Sequence, residues 1–589
     1  MSAPAPTRPR TPPARRPEST STRPERRLRL GSTRKRAGAL IVISLFILTI
    51  FAGRLLELQA FRGDALAAAA VDQRLRTVTV LADRGEITDR NGAPLASTVE
   101  ARHLTADQTL IAEPYRVAQE LAPFLGMQVS DVAERLSGDR RFVYVAKDLT
   151  PETWRSIDDL GLAGIFSERT TRRVYPAGEV GANVVGFVGA EGEGLGGIEY
   201  AMNAQLSGVD GWRTFERGFA GPAIPTAQTS GEEPVPGQAI TLTLDRDIQY
   251  VAQRTIAEAV TAAGAESGSV VVMDPRTGEI LALASTPTFD ANDPAAAEQA
   301  NLGNRALTDA FEPGSTTKVI TVSAVLEEGG MTPDTIIEIP PTLTRAGKVF
   351  HDARAHGGYT WDLTTTLARS SNIGMILAAE SIGGDAMYDY LRRFGVGQAT
   401  GLGFPGETSG FLPAPADWSG TTFPTLTFGQ GFSVNAVQAA SVFATIANDG
   451  VRVPPSLVMP GTGAPAEPTG VQVISANTAR QVREMLETVV VDGGTAPMAG
   501  IPGYRVGGKT GTAQAINPAC GCYDGDTIGS FIGMAPIEAP ELVVAVSIVR
   551  PSVQQFGGEL AGPVFRDVMT YALQARQVAP LPGPTLSNG

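Results

Sequence analysis

The stretch Ala37 to Gly53 (AGALIVISLFILTIFAG) is apolar and carries no charge. It is slightly short of the ~20 residues that a spanning helix needs. Arg54 can snorkel, and Leu55, Leu56 and Leu58 extend the apolar reach. The pattern predicts a transmembrane helix over 37–57. A cleaved signal peptide is the alternative, but the run is long for a signal core and no small-x-small site follows it. Residues 74–99 then alternate as paired strands, with Asn91-Gly92 where a tight turn needs positive φ. Helices are expected around 114–137 and 151–160, and a Gly-rich region runs from Gly181 to Asn203. Residues 219–238 (FAGPAIPTAQTSGEEPVPGQ) are dense in Pro, Gly and polar positions, which reads as a domain boundary.

Beyond that boundary, Ile248, Val251, Ala252, Thr255, Ile256, Ala259 and Val260 recur with the helical period. The apolar runs Ser269–Met273 and Glu279–Ala284 flank Asp274-Pro275-Arg276-Thr277-Gly278, which is turn chemistry, so a hairpin is expected. The chain after Ser315 reads as mostly helical. Strand-like runs follow at Tyr504–Val506, Thr527–Met534 and Leu542–Val549, and a last helix is expected over Pro563–Arg576. This order suggests an α+β domain, an antiparallel sheet covered by helices. No tandem repeat is visible.

A length of 589 residues exceeds one compact core, so two or more domains are expected. The 43% hydrophobic content excludes global disorder. The net charge of −13 is uneven: eleven basic residues face only Glu18 and Glu25 before residue 37, which leaves the remainder near −22. Nothing in that acidic part resembles a nucleic-acid footprint. The basic cluster on the N-terminal side of the apolar run predicts a cytoplasmic N-terminus and an exported remainder. Residues 1–36, rich in Pro, Arg, Ser and Thr, cannot bury enough apolar surface to fold alone. They read as an interaction arm, an anionic-lipid contact or an unstructured topology signal. Cys520 and Cys522 are the only cysteines. A bridge between them would be tightly constrained, and two ligands do not make a structural zinc site, so a local loop feature is expected.

The chain holds five lysines, Lys35, Lys147, Lys318, Lys348 and Lys509, among 48 basic residues. It uses arginine where a cation suffices. An ammonium can lose its proton when its pKa is lowered, and a guanidinium in effect cannot. Two of the lysines sit in motifs with catalytic character. Ser315-Thr316-Thr317-Lys318 puts a hydroxyl near a helix N-terminus, one turn before a group able to take its proton. Ser370-Ser371-Asn372 offers a proton relay and an amide-binding group. In Lys509-Thr510-Gly511-Thr512, an ammonium and two hydroxyls suit a carboxylate, and Gly511 permits close backbone approach. A phosphate-binding loop is excluded by spacing. His103, His351 and His356 are expected to pack structurally rather than to form a Ser-His-Asp triad, and no metal cluster is visible.

Ser315-x-x-Lys318, Ser370-x-Asn372 and Lys509-Thr510-Gly511, in this order, resemble the active-site set of penicillin-recognising serine enzymes. Arg84-Gly85-x-Ile87-x-Asp89-Arg90-Asn91-Gly92, Arg173-x-Tyr175-Pro176-x-Gly178 and Gly196-Gly197-Ile198-Glu199 resemble pedestal motifs of class B penicillin-binding proteins. Phe428-Gly429-Gln430-Gly431 and His356-Gly357 resemble further positions of that family. The resemblance spans about residues 35–575. It implies a penicillin-recognising transpeptidase domain on an extended β-rich pedestal: tail 1–36, membrane helix 37–57, pedestal 58–235, transpeptidase domain 236–577 and tail 578–589. It implies a peptidoglycan D,D-transpeptidase without cofactor. Ser315 would attack the D-Ala-D-Ala carbonyl with Lys318 as base, and Ser370 would relay a proton. Asn372 would hold the acyl-side amide, while Lys509, Thr510 and Thr512 take the carboxylate and Gly511 lies between them. Backbone N–H groups of Ser315 and Thr512 would form the oxyanion hole. β-Lactams would acylate Ser315. A SEDS-type glycan polymerase and division proteins would be partners in the membrane. The division-specific branch fits best and the elongation type is the runner-up. A D,D-carboxypeptidase or β-lactamase-like hydrolase and a non-catalytic scaffold are the other readings.

Overall fold

The computed structural model describes residues 32–66, 75–216, 230–461, 469–517, 520–553 and 556–580. The basic arm before Ser32, much of the predicted boundary segment and the tail after Pro580 lie outside the described residues. The chain divides into two compact units, residues 1–77 with 214–230, and residues 78–213 with 231–589.

In the first unit a helix runs Thr33–Leu56 and continues as a π-helical turn, Glu57–Phe61. The span Thr33–Phe61 is long and apolar enough to cross a membrane, and none of its apolar stretch is buried. It begins ahead of the apolar run because Ser32 caps it, its hydroxyl accepting from Lys35 N at 3.3 Å.

In the second unit, the long strand Pro94–Ala106 pairs with Ile87–Thr88, Val143–Leu149 and Ile165–Val174. Asn91-Gly92 makes the expected turn, with Gly92 at φ +82°. The strand Leu75–Val80, whose first residues count with the first unit, does not join this hairpin; it pairs with Gly211–Glu216 instead. Alternation identified the strand and could not identify its partner. The predicted helix over 114–137 is two helices, Pro114–Leu125 and Val129–Leu136, broken at Gly126 with φ +62°. With Pro151–Asp158 they bury Leu121, Val132, Leu136 and Ile157 against Leu104 and Val145 of the sheet.

The three pedestal motifs meet at one buried carboxylate. Glu199 accepts from Arg84 Nε at 2.6 Å and from Arg173 Nε at 2.7 Å, and Tyr175 Oη lies 3.4 Å from it. Asp89, Arg90 and Asn91 face the later part of the chain. Asp89 accepts from Arg246 N, Asn91 donates to Asp245, and Arg90 pairs with Glu279 at 3.2 Å. Ile87–Thr88 also pairs in parallel with Ile240–Thr241. The expected divide near residue 236 therefore lies inside one compact unit.

The later part is built on a five-stranded antiparallel sheet in the order Ile280–Thr286, Ser267–Met273, Leu542–Val549, Cys522–Ala535, Gly507–Asn517. The predicted hairpin is its first pair. Both faces are covered, so Val270–Met273 and Leu542–Val546 read as unbroken apolar runs. Val270, Val272, Val544 and Val546 pack against the helices Arg246–Ala263 and Gly557–Ala575. Val271, Met273, Val543 and Ala545 face the helical lobe with Lys318–Glu328, Asn372–Ala379 and Ala436–Ala447. Two boundaries differ from expectation. The strand placed at Tyr504–Val506 begins at Gly507 and contains the Lys509 motif. The last helix begins at Gly557, with Pro563 inside it. Gly557 allows that start, because a Cβ there would lie 1.9 Å from Gly511 O.

Glu199→Ala would leave two buried guanidiniums without their carboxylate. It is expected to destabilise the protein by about 3–5 kcal/mol in denaturant unfolding, whereas Glu100→Ala, at the partly exposed Arg102 pair, should cost under about 1 kcal/mol.

Candidate active site

Ser315 lies in a 3-10 turn, Gly314–Thr317, and Lys318 is the first residue of the α-helix that follows. Positions three apart eclipse in a 3-10 turn, so both project on one side. The turn is held by backbone closeness. Gly314 N donates to Gly429 O at 3.0 Å, and a Cβ at Gly429 would lie 2.0 Å from Gly314 O. This accounts for Phe428-Gly429-Gln430-Gly431 in structural terms. Ser315 is half-buried, and Lys318 is fully buried.

Ser370 and Asn372 occupy the junction between the helices Leu363–Ala368 and Asn372–Ala379, a turn between helices as the sequence suggested. Ser370 has φ +63°, a left-handed conformation that costs a non-glycine residue roughly 1–2 kcal/mol. That conformation turns its hydroxyl between two lysines. Lys318 Nζ lies 3.2 Å from Ser370 Oγ and donates to Ser370 O and Asn372 Oδ1, each at 2.7 Å. Lys509 Nζ reaches the same Oγ at 2.9 Å from the opposite wall and also donates to Thr510 O.

Burial drives the Lys318 ammonium from its ordinary value down to about 7, with the Asp352 carboxylate opposing. Lys509 is pushed well below its ordinary value, first by burial and then by the charge of Lys318. Two buried ammonium groups on one hydroxyl repel, so the pair favours giving up a proton.

Gly511 also permits a close approach within the protein itself. A Cβ there would meet Ser530 Oγ at 2.3 Å and Pro313 O at 3.1 Å. The glycine lets its strand close on the Ser315 turn. Thr512 is exposed on the cavity side, and its hydroxyl accepts from Gly557 N at 3.0 Å, which leaves its own proton free to donate. Thr510 is buried against Thr495, with hydroxyls 3.1 Å apart. Ser315, Ser370, Asn372, Thr510 and Thr512 line one cavity of about 820 Å³.

Asp352 is the residue that motif reading missed. Its carboxylate accepts from Ser371 Oγ (2.7 Å), Asn372 N (2.5 Å) and Ile373 N (3.0 Å), and lies 3.2 Å from His356 Nε2. It therefore caps the helix that presents Asn372. No pattern flags a lone aspartate nineteen residues upstream of the serine it binds. His356 is occupied with Asp352 and stacks on Tyr359, and His351 O accepts from Asn372 Nδ2. His103 Nδ1 accepts from Asp148 N in the pedestal. No histidine contacts Ser315 among the described residues, and none contains a metal-ligand cluster. Cys520 and Cys522 are bonded to each other at the tip of the hairpin that carries the Lys509 motif, around Gly521 at φ +62°. The constraint on such a bridge is met by that glycine. One residue on, Tyr523 Oη donates to Glu312, three positions before Ser315, at 2.9 Å.

Residues 268–570 match the penicillin-binding protein transpeptidase domain, and residues 79–242 match the penicillin-binding protein dimerisation domain. The chain is 37% identical to penicillin-binding protein PbpB of Mycolicibacterium smegmatis, over 94% of this chain and 92% of that one. It is 32% identical to peptidoglycan D,D-transpeptidase FtsI of Escherichia coli, over 91% of each. The crystal structure of penicillin-binding protein 3 from Mycobacterium tuberculosis, complexed with aztreonam, aligns with a TM-score of 0.68 at 34% identity, covering 86% of this chain and 99% of that one. A peptidoglycan synthetase from Bifidobacterium adolescentis aligns at 0.69 and 31%, covering 87% and 98%.

Asp352→Ala would remove the acceptor of several buried donors. Denaturant unfolding should report a loss of about 2 kcal/mol or more.

Proposed function

The chain belongs to the penicillin-binding protein transpeptidase family and is a class B peptidoglycan D,D-transpeptidase of the division type, and we propose that Ser315 is its nucleophile. It cross-links stem peptides in septal wall synthesis and is a target of β-lactams. The observation that carries the residue assignment is the hydroxyl of Ser370 held by two buried lysines, in the cavity that Ser315 lines.

The chemistry follows from charge. A D-Ala-D-Ala terminus brings a carboxylate to Lys509, Thr510 and Thr512. That anion favours the charged form of Lys509, and the charge on Lys509 favours the neutral form of Lys318. Neutral Lys318 takes the proton of Ser315 as its oxygen attacks the penultimate carbonyl. The N–H groups of Ser315 and Thr512 stabilise the oxyanion, each donor worth roughly 3–4 kcal/mol at the transition state. The C–N bond breaks, and Ser370, backed by both lysines, passes a proton to the departing D-alanine. Asn372 holds the amide of the acyl portion. The amine of a second stem attacks the acyl-enzyme, forming the cross-link and returning the proton to Ser315. A β-lactam acylates Ser315 in the same way, but its leaving group stays tethered.

The protein is membrane-anchored, and we infer that Thr33–Phe61 is the anchor, with a cytoplasmic N-terminus and an extracytoplasmic site. On the same reading the working domains are a pedestal over 58–235 and a transpeptidase domain over 236–577. Partners are a SEDS-type glycan polymerase and division proteins in the same membrane.

Intact mass after incubation with a penicillin should show one adduct in the wild type and none in Ser315→Ala. Rapid drug loss without an adduct would mark a hydrolase, and no reaction a scaffold. Lys318→Arg should slow acylation by about 10²-fold or more, because a guanidinium keeps its proton. The second-order acylation rate of the free enzyme should rise with pH and level off above about 7, as Lys318 loses its proton. In Asp352→Ala the opposing carboxylate is gone, so that midpoint should move to lower pH.

A further inference from the structure

Two cations on the cavity lining are unused by the mechanism above. Arg354 and Arg369 both line the cavity, and neither forms an ion pair with a carboxylate among the described residues. Other arginines of the chain do. Arg345 binds Glu380 at 2.6 Å, Arg505 binds Glu487 at 2.6 Å and Arg550 binds Glu266 at 2.7 Å. The chain is acidic overall, with 61 acidic against 48 basic residues, so two unpaired guanidiniums at one cleft run against its general charge.

Each arginine leans toward the opposite wall. Arg354 follows Asp352 in the loop that caps Asn372, and its guanidinium lies over the Phe556 ring, 5.4 Å from the centroid. Arg369 directly precedes Ser370. Its Nη2 would lie 3.5 Å from a Cβ at Gly493, at the start of the loop whose Thr495 backs Thr510. The acidic groups on the lining form no ion pair with either arginine among the described residues. Asp352 is saturated by its donors, and a Glu559 oxygen takes Phe556 N at 3.3 Å. The lining thus carries two guanidiniums beside two carboxylates, Asp352 and Glu559, and a guanidinium binds a ligand carboxylate through paired, charge-assisted hydrogen bonds.

We propose that Arg354 and Arg369 form a second carboxylate subsite, which binds a carboxylate on an internal residue of the acyl-donor peptide and so selects free-acid over amidated donors. The proposal rests on the acyl-donor reading of Ser315. The terminal carboxylate is common to every D-Ala-D-Ala donor and cannot distinguish them. An internal carboxamide has one acceptor oxygen and no charge, so it loses most of what a guanidinium offers.

The test uses the full-length protein in detergent and two synthetic peptides ending in D-Ala-D-Ala, identical except for an internal acidic residue present as free acid or primary amide. D-Alanine release is followed for each. The wild type should favour the free acid in kcat/KM by about tenfold or more, chiefly through KM. Arg354→Gln and Arg369→Gln should each lower that ratio, and the double variant should bring it near one. Arg369→Lys should retain part of it. Because Arg369 has no carboxylate partner among the described residues, the thermal midpoint of Arg369→Gln should stay near the wild-type value, whereas Arg354→Gln gives up only its contact with the Phe556 ring and should lower it slightly. A wild-type ratio near one would overturn the proposal, as would a double variant that slows both peptides in proportion. Penicillin adduct formation on the same wild-type sample separates the failures. Its absence fails the reading of Ser315, and its presence beside a ratio of one fails the subsite alone.

Discussion

Everything at the candidate site depends on burying two lysines over one hydroxyl. An isolated ammonium is costly to remove from water, and two together repel, so the protein has two ways of holding them. It supplies acceptors: Ser370 O and Asn372 Oδ1 for Lys318, Thr510 O for Lys509. It also lets the pair lose a proton, which relieves the repulsion. Arginine offers no such exit. That explains why a chain that otherwise prefers arginine retains lysine at these two positions.

The clamp requires three segments, far apart in sequence, to meet within hydrogen-bonding distance. Glycines make this possible where backbones touch. Gly429 lies against Gly314, Gly511 against Pro313 and Ser530, and Gly557 against Gly511. A side chain at any of these would separate the Ser315 turn, the Lys509 strand or the last helix. The left-handed Ser370 is the strained element, held in place by the Asp352 cap on the neighbouring helix and by both lysines. The Tyr523–Glu312 contact ties the hairpin beyond the disulfide back to the segment that leads into Ser315.

The pedestal solves a different electrostatic problem with the other basic side chain. Glu199 sits buried between Arg84 and Arg173, whose guanidiniums stay charged and fork toward carboxylate and backbone oxygens alike. Permanence is useful there, because the cluster joins three separate motifs into one structural knot. At the candidate site the useful property is lability. The same chain thus places arginine around the buried carboxylate and lysine where burial lowers the proton affinity. Asp89, Arg90 and Asn91, in the first of those motifs, also bond the segment around Asp245 and Glu279, so that pedestal and sheet form one compact body.

Much of this was legible in the residues alone. Period and apolar length marked the apolar N-terminal helix, the first hairpin of the central sheet and the helices after Ser315, because those signals are local. The motifs Ser315-x-x-Lys318, Ser370-x-Asn372 and Lys509-Thr510-Gly511 were visible because each is a short run of chemically distinct side chains. Partners were not visible. Alternation marked Leu75–Val80 as a strand but not its pairing with Gly211–Glu216, and spacing marked Gly511 without revealing that Pro313 and Ser530 require it. Asp352 carried no signal, since its role exists only once a loop folds across a helix end nineteen residues later. The lowered proton affinity of Lys318 likewise comes from burial and from neighbours on other elements. The sequence by itself determined which side chains were available and the local elements that present them. Which of them meet, and in what protonation state, was decided by tertiary packing, because distance and desolvation belong to the folded chain and not to its order.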